Sequence, residues 1–168
     1  MLKKLYVTLE KLEMFEEFKK FKQENPDYYL TSGFFMIEDK NKLDSTWQVD
    51  FFTPSSHKIT SFIIDGDKLE IKPNQDVFQK DKGVLKELKV EDIKVDFKDI
   101  LEKVEILNKE KYHESPNKII VLLQNIDVIT WNITYLTQSF KVWNIKYNAE
   151  NGDLISEKIE SILSFRSQ

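Results

Sequence analysis

The segment WNITYLTQSFKVWNIKYNAENGDLI, Trp131 to Ile155, decides the fold. Apolar and polar residues alternate over two runs and close on Asn151-Gly152-Asp153, the pattern of two antiparallel strands and a turn. An earlier segment, WQVDFFTPSSHKITSFIIDGDKLEI from Trp47 to Ile71, nearly repeats it. Trp47, Val49, Phe51, Thr53 and Ser55 fall on Trp131, Ile133, Tyr135, Thr137 and Ser139, 84 residues later in a chain of 168. With one gap, Lys58, Ile59, Phe62, Ile64 and Gly66-Asp67 fall near Lys141, Val142, Ile145, Tyr147 and Gly152-Asp153. Self-similarity at half the chain length reads as a duplication. The sequence therefore predicts an α+β fold of two tandem repeats, each one helix packed on an antiparallel β-sheet, over residues 1–73 and 92–168, with 74–91 as a linker.

Each half alone is near the size where burial only just offsets chain entropy, so the halves are expected to be fused. Lys and Arg number 25 against 29 Asp and Glu, a net charge of −4 with the signs interspersed, in an ordinary soluble composition that is 40% apolar. Nucleic-acid binders meet phosphate with clustered cations, so nucleic acid is not the expected partner. With no cysteine, disulfides, thiol catalysis and Cys-ligated zinc are excluded. No apolar run reaches the roughly 20 residues that span a bilayer, and Glu10, Glu13, Glu16 and Glu17 interrupt any signal-peptide core. No membrane insertion is expected; the compartment is the cytoplasm by default, or the exterior if a leader precedes this sequence in a longer chain.

From Thr8, read as an N-cap, Leu9, Leu12, Phe15, Phe18 and Phe21 mark one amphipathic helix that stops at Asn25-Pro26. Tyr28 to Ile37 reads as a strand in which Gly33 marks a bulge or a close approach. A charged turn, Glu38 to Ser45, leads to strands at Thr46–Thr53, Ile59–Asp65 and Lys68–Ile71. Asn74 to Glu91 has few core-forming residues. A second helix is predicted from Asp96 to Lys111, with Phe97, Ile100, Leu101, Val104 and Leu107 inward, ended by Ser115-Pro116. Lys118–Gln124 has a buried-strand pattern, and Glu157–Phe165 favours a strand over a helix.

Residues two apart on a strand share a face, which sets Trp131, Ile133, Tyr135, Trp143, Ile145 and Tyr147 inward against Asn132, Thr134, Asn144 and Lys146 outward. In the first half Trp47, Val49 and Phe51 match this inner set. Phe52, Ile59 and Ile63 put apolar groups on the opposite face, to be covered by the other half, another chain or a ligand. Trp143 has no aromatic counterpart, its equivalent lying close to Thr60. Trp143 is therefore a candidate contact with the other half, a ligand or a partner, and Phe52 and Ile63 are candidate contacts with a partner or ligand.

A helix, a strand, a Trp-x-Ile/Val-x-Tyr/Phe strand, an alternating strand and an acidic Gly turn together resemble the PepSY family. Its Asp-Ala-x-Thr-Gly-Glu-like turn corresponds to Asn148-Ala149-Glu150-Asn151-Gly152-Asp153, with the shorter Asp65-Gly66-Asp67 in the first half. The resemblance implies an α+β unit occurring twice and a non-catalytic role in inhibition or protein interaction, with a peptidase among the possible partners. It supplies no catalytic residue.

The residues themselves point the same way. His57 and His113 lie in separate loops without the i+3 or i+4 partner of a helix-borne metal site. Ser55-Ser56-His57 is an ordinary turn after Pro54 and not a triad. The acidic hairpin tips lack the ligand spacing of a calcium loop, and four glycines leave little for a phosphate loop. The expected function is a non-enzymatic interaction module without cofactor or metal. The competing expectation is a small-molecule carrier or enzyme with a pocket between helix and sheet.

Overall fold

The alternation around Trp131 builds β6 (Val128–Thr137) and β7 (Lys141–Asn148), paired antiparallel with Tyr135 opposite Trp143 and Trp131 opposite Tyr147. The computed structural model of the chain describes residues 1–38, 45–77 and 85–163. Around this hairpin the other strands are β1 (Tyr29–Ile37), β2 (Gln48–Thr53), β3 (Lys58–Asp65), β4 (Lys68–Asp76), β5 (Pro116–Ile126) and β8 (Leu154–Ser161). All eight join one antiparallel sheet in the order β4-β3-β2-β1-β5-β6-β7-β8. The two halves meet where β1 pairs with β5, from Ser32 opposite Gln124 to Ile37 opposite Ile119. The fold is therefore α+β.

Helices α1 (Leu2–Leu12), α2 (Glu16–Glu24) and α3 (Phe97–Leu107) pack on the face that carries Trp47, Trp131 and Trp143. Phe18 of α2 lies 5.2 Å from Phe51 and 5.1 Å from Phe62, ring to ring. Phe97 of α3 lies 5.0 Å from Phe35 and 5.5 Å from Trp131. Trp47 and Trp131 approach to 6.3 Å, so the core is continuous across the β1–β5 join. Ring pairs of this kind contribute about 0.5–1.5 kcal/mol each beyond their buried area.

The first helical segment differs from the sequence expectation. Instead of one helix from Thr8 to Asn25 there are two, and the first begins at Leu2. Thr8 is not a cap: its hydroxyl donates to the Lys4 carbonyl one turn back, at 2.9 Å. The break has a geometric cause. Apolar residues every three positions fall behind a helix of 3.6 residues per turn by roughly 60° per step, so one straight helix would swing Phe18 and Phe21 away from the sheet. Phe15 takes an extended conformation (φ −81°, ψ 132°), and α2 then starts afresh with Phe18 and Phe21 buried. The second helical segment follows its prediction more closely, α3 passing into a five-residue π turn, Asn108–Tyr112.

Two further boundaries move. β4 runs on to Asp76, three residues into the predicted linker. Farther along that linker, Leu88 and Val90 are buried in the core, the Leu88 amide donating to the Leu30 carbonyl at 2.8 Å. The middle of the linker (78–84), the centre of the predicted Glu38–Ser45 turn (39–44) and the predicted strand beyond 163 lie outside the described residues. The C-terminal strand itself is present as β8.

Asp96 ties the helix starts together. Its carboxylate accepts the Lys98 amide at 2.9 Å as the N-cap of α3 and the Leu2 amide of α1 at 2.8 Å. Burial works to raise its pKa, but the two amides and the Met1 amino group, 3.3 Å away, together outweigh it and hold the group below the usual value. A carboxyl depressed in the folded state contributes stability above its unfolded pKa of about 3.9 and loses it as pH falls through the folded value. Asp96→Ala is expected to cost about 1 kcal/mol at neutral pH, with the gap from the parent closing as acid protonates the parent's cap. Chemical denaturation of both proteins across the acid range measures it.

Candidate functional site

With its helices on one face, the sheet leaves the other uncovered by any helix of the described residues. Strand pairing fixes which side chains stand there. One row across the sheet reads Ile63, Gln48, Phe34, Leu122, Asn132 and Lys146, each directly opposite the next. A second places Met36 opposite Ile120, then Thr134 and Asn144. At the join of the two halves, Phe34, Met36, Ile120 and Leu122 thus form an apolar patch. Met36 is 43% exposed and the other three are half-buried.

Polar ladders flank the patch on both sides. Toward β4, Ser32 Oγ donates to Asp50 Oδ2 at 2.8 Å, Gln48 Nε2 to Asp50 Oδ1 at 2.9 Å, and Gln75 Nε2 to Ser61 Oγ at 2.8 Å. Toward β8, Asn144 Nδ2 donates to Asn132 Oδ1 at 2.7 Å and to Thr134 Oγ1 at 2.9 Å. An apolar centre with a hydrogen-bonded polar rim is the anatomy of a contact surface. Strands hold all of these side chains, and hydrogen bonds fix the rotamers of the polar ones, which lowers the ordering cost of binding.

One end of this face is recessed. A register shift in β1 between Leu30 and Ser32 leaves Thr31 as the bulged residue, and its hydroxyl donates to the Lys86 carbonyl at 3.2 Å. Where Leu85-Lys86 passes there, a cleft of about 490 Å³ opens, lined among others by Ser32, Asp50, Ile59, Leu85, Leu122 and Gln124. On the helix side a cleft of about 280 Å³ lies among Leu9, Leu12, Phe18, Tyr28, Phe51 and Leu88, and one of about 400 Å³ is bordered by Phe21, Thr60, Phe62, Ile71 and Pro73.

Of the residues singled out from the sequence, Trp143 lies otherwise than expected, while Phe52 and Ile63 stand on the face opposite the inner set. Trp143 is fully buried, its ring 4.6 Å from Tyr112 and 5.2 Å from Tyr135, both in its own half. It is a core residue, since its alternation with Ile145 and Tyr147 turns it to the helix side. Phe52 does stand on the helix-free face, but it too is fully buried, with Tyr29 at 5.7 Å and His57 at 5.4 Å. Its cover includes neighbours in its own half. Ile63 is half-buried on the same face and remains reachable.

Sequence reasoning did not single out Phe34, Met36, Ile120 and Leu122. A signal was present, because the strands around Phe34 and Ile120 are apolar at consecutive positions, whereas a strand with one wet face alternates.

Two titratable side chains are hydrogen-bonded and shifted from their ordinary pKa values. Tyr135 OH donates to Glu105 Oε1 at 2.8 Å, and burial, then the charge of Glu105, push its pKa strongly upward, keeping the phenol protonated. Glu114 is held below the usual carboxylate range by hydrogen bonds from Lys141 and Ser139, against the opposing effect of burial. His57 and His113 are exposed loop residues in left-handed conformations. Gly152, at φ 76°, closes the Asn148–Asp153 turn by donating to the Asn148 carbonyl at 2.9 Å. Among the described residues no three His, Asp or Glu side chains group as metal ligands, and no helix is long and apolar enough to cross a membrane.

No family model matches this chain, and no curated protein does. A solved structure does match. It is a putative lipoprotein from Clostridium difficile 630, 17% identical, with a TM-score of 0.52 over 86% of this chain and 91% of that one. The likeness is one of fold. It extends over most of both chains, so this arrangement of helices and sheet recurs in a second, divergent sequence.

Proposed function

We propose that the chain is a non-catalytic protein-interaction module of two PepSY-like repeats, which takes up a protein partner, a peptidase or another, on its helix-free sheet face. The observation that carries this reading is the apolar patch of Phe34, Met36, Ile120 and Leu122 between two hydrogen-bonded polar ladders. Duplication is supported by the strand order, in which β1 and β5 pair at the centre and each set of four strands runs outward in sequence order. The tryptophans add to that support. Trp47 Nε1 donates to the Met1 carbonyl at 3.3 Å and Trp131 Nε1 to the Val95 carbonyl at 2.9 Å, each beside the start of a helix. The first repeat then carries two helices where the second carries one. The fold it shares with a putative lipoprotein favours a setting outside the cytoplasm.

The test is affinity capture from fractions of the producing cells with the parent protein, an open-face variant and a helix-side control. Met36→Lys with Leu122→Lys is expected to weaken capture of the partner about tenfold or more, and Lys20→Glu to leave it unchanged. Equal capture by all three would end this reading. A bound molecule of small mass, retained by the open-face variant in a native mass spectrum, would favour a carrier that uses the helix-side clefts.

A further inference from the structure

β4 and β8 are the two edges of the sheet, and the sequence treats them differently. β4 carries Pro73, which has no N–H to give, Asn74 at φ 52°, and a register shift opposite Ile59 and Ser61. Such devices deter pairing with another strand. β8, LISEKIES, contains neither Pro nor Gly and runs in register with β7 from Ser156 to Ser161, its own register shift lying at Ile155, outside that run. Exposed apolar side chains cluster at its ends: Leu154 and Ile155 at one, Ile162, Leu163 and Phe140 at the other. Leu163 and Phe140 are 63% and 65% exposed.

We infer that β8 is a self-association edge: two copies of the chain join β8 to β8, antiparallel, about a twofold axis at Ile159, and so extend the sheet. The backbone limits the register. The Ile162 N–H points inward, donating to the Phe140 carbonyl at 2.8 Å. With the strand's period of two, the main-chain groups of Glu160 and Lys158 also turn inward, and those of Ile159 and Glu157 turn outward. Outward groups must meet outward groups, so the twofold axis falls on a residue and not between residues.

Charge then selects among the residues. An axis at Glu157, Lys158 or Glu160 sets that residue against its own copy, like charge on like. An axis at Ile159 sets Ile159 on Ile159, Lys158 on Glu160 of the second copy and Glu160 on its Lys158. Opposite charges directly across an antiparallel pair stabilise it and like charges destabilise it. Lys158 and Glu160 already pair within one chain at 2.6 Å, on the helix-free side of the strand. The same register brings Ile155 to the Ile162-Leu163 end of the second copy. An isologous contact of this kind closes on itself and ends at two chains. It leaves the patch at the centre of the sheet free, so it stands apart from the partner proposed above.

Sedimentation equilibrium over a broad concentration range tests it with three variants of the full chain. The parent is expected to dimerise. Lys158→Glu alone and Glu160→Lys alone each turn both cross-strand pairs into like charges, raising the dissociation constant about tenfold or more. Mixing these two variants in equal amounts restores both pairs and yields a heterodimer, which also shows that each is folded. The double variant Lys158→Glu/Glu160→Lys restores them within one sequence and dimerises like the parent. A parent that stays monomeric throughout overturns the inference, as does a dimer indifferent to all three variants.

Discussion

Trp143→Ala should lower stability by about 3–5 kcal/mol, a large share of the 5–15 kcal/mol that holds a typical domain folded. The ring is fully buried between Tyr112, at the end of the π turn, and Tyr135 on the neighbouring strand. Alanine would leave a void between these two rings, which belong to separate elements. The size of the loss separates a core residue from a contact residue, for which truncation would leave the melting temperature almost unchanged. A finer comparison isolates the polar part. Trp131 Nε1 donates to the Val95 carbonyl at 2.9 Å, whereas Trp143 Nε1 is buried and finds no acceptor among the described residues. Trp131→Phe removes ring volume and also orphans a carbonyl; Trp143→Phe removes ring volume and relieves an unsatisfied donor. Denaturant titration should therefore show Trp143→Phe to be the milder change by about 1–3 kcal/mol. Equal losses would mean that the Trp143 indole is satisfied in solution.

What the sequence made legible follows from how local each signal is. The alternation of Trp131, Ile133 and Tyr135 with Asn132 and Thr134 requires only one strand and one wet face, and those side chains lie as that pattern requires. The burial of Trp143 was legible in the same way, from its alternation with Ile145 and Tyr147. Comparison with Thr60 pointed elsewhere, because a difference between two aligned positions reports a difference in packing and not exposure. The break between α1 and α2 was encoded in the spacing of Leu9 to Phe21, though no Pro or Gly marks it. The pairing of β1 with β5 joins residues far apart in the chain and has no local signature. It is also what assembles the open-face patch, since Phe34 and Met36 come from one half and Ile120 and Leu122 from the other.

Gly33→Val should be among the most damaging single changes in the chain, and Gly33→Ala a milder form of it. Gly33 lies in β1, at the centre of the sheet, opposite Val49 on one side and Leu123 on the other. A Cβ built there would stand 2.7 Å from Trp47 Cζ3 and 3.0 Å from its Cε3, closer than carbon atoms pack. The indole has little room to yield, with the Phe35 ring 4.6 Å away, Trp131 6.3 Å away and its Nε1 bonded to the Met1 carbonyl. Relief must come from the strand itself, which two neighbours hold in register. Overpacking of this kind costs about 1–3 kcal/mol for one added methyl group, and the branched valine more. The cause can be read from a double-mutant cycle. Trp47→Leu alone should be strongly destabilising, through lost ring contacts and a lost hydrogen bond. It also vacates the space that the new Cβ needs, so Gly33→Ala in that background should cost much less than in the parent, a coupling of about 1–3 kcal/mol. Additive losses across the cycle would show that glycine is needed at position 33 for its backbone and not for its contact with Trp47.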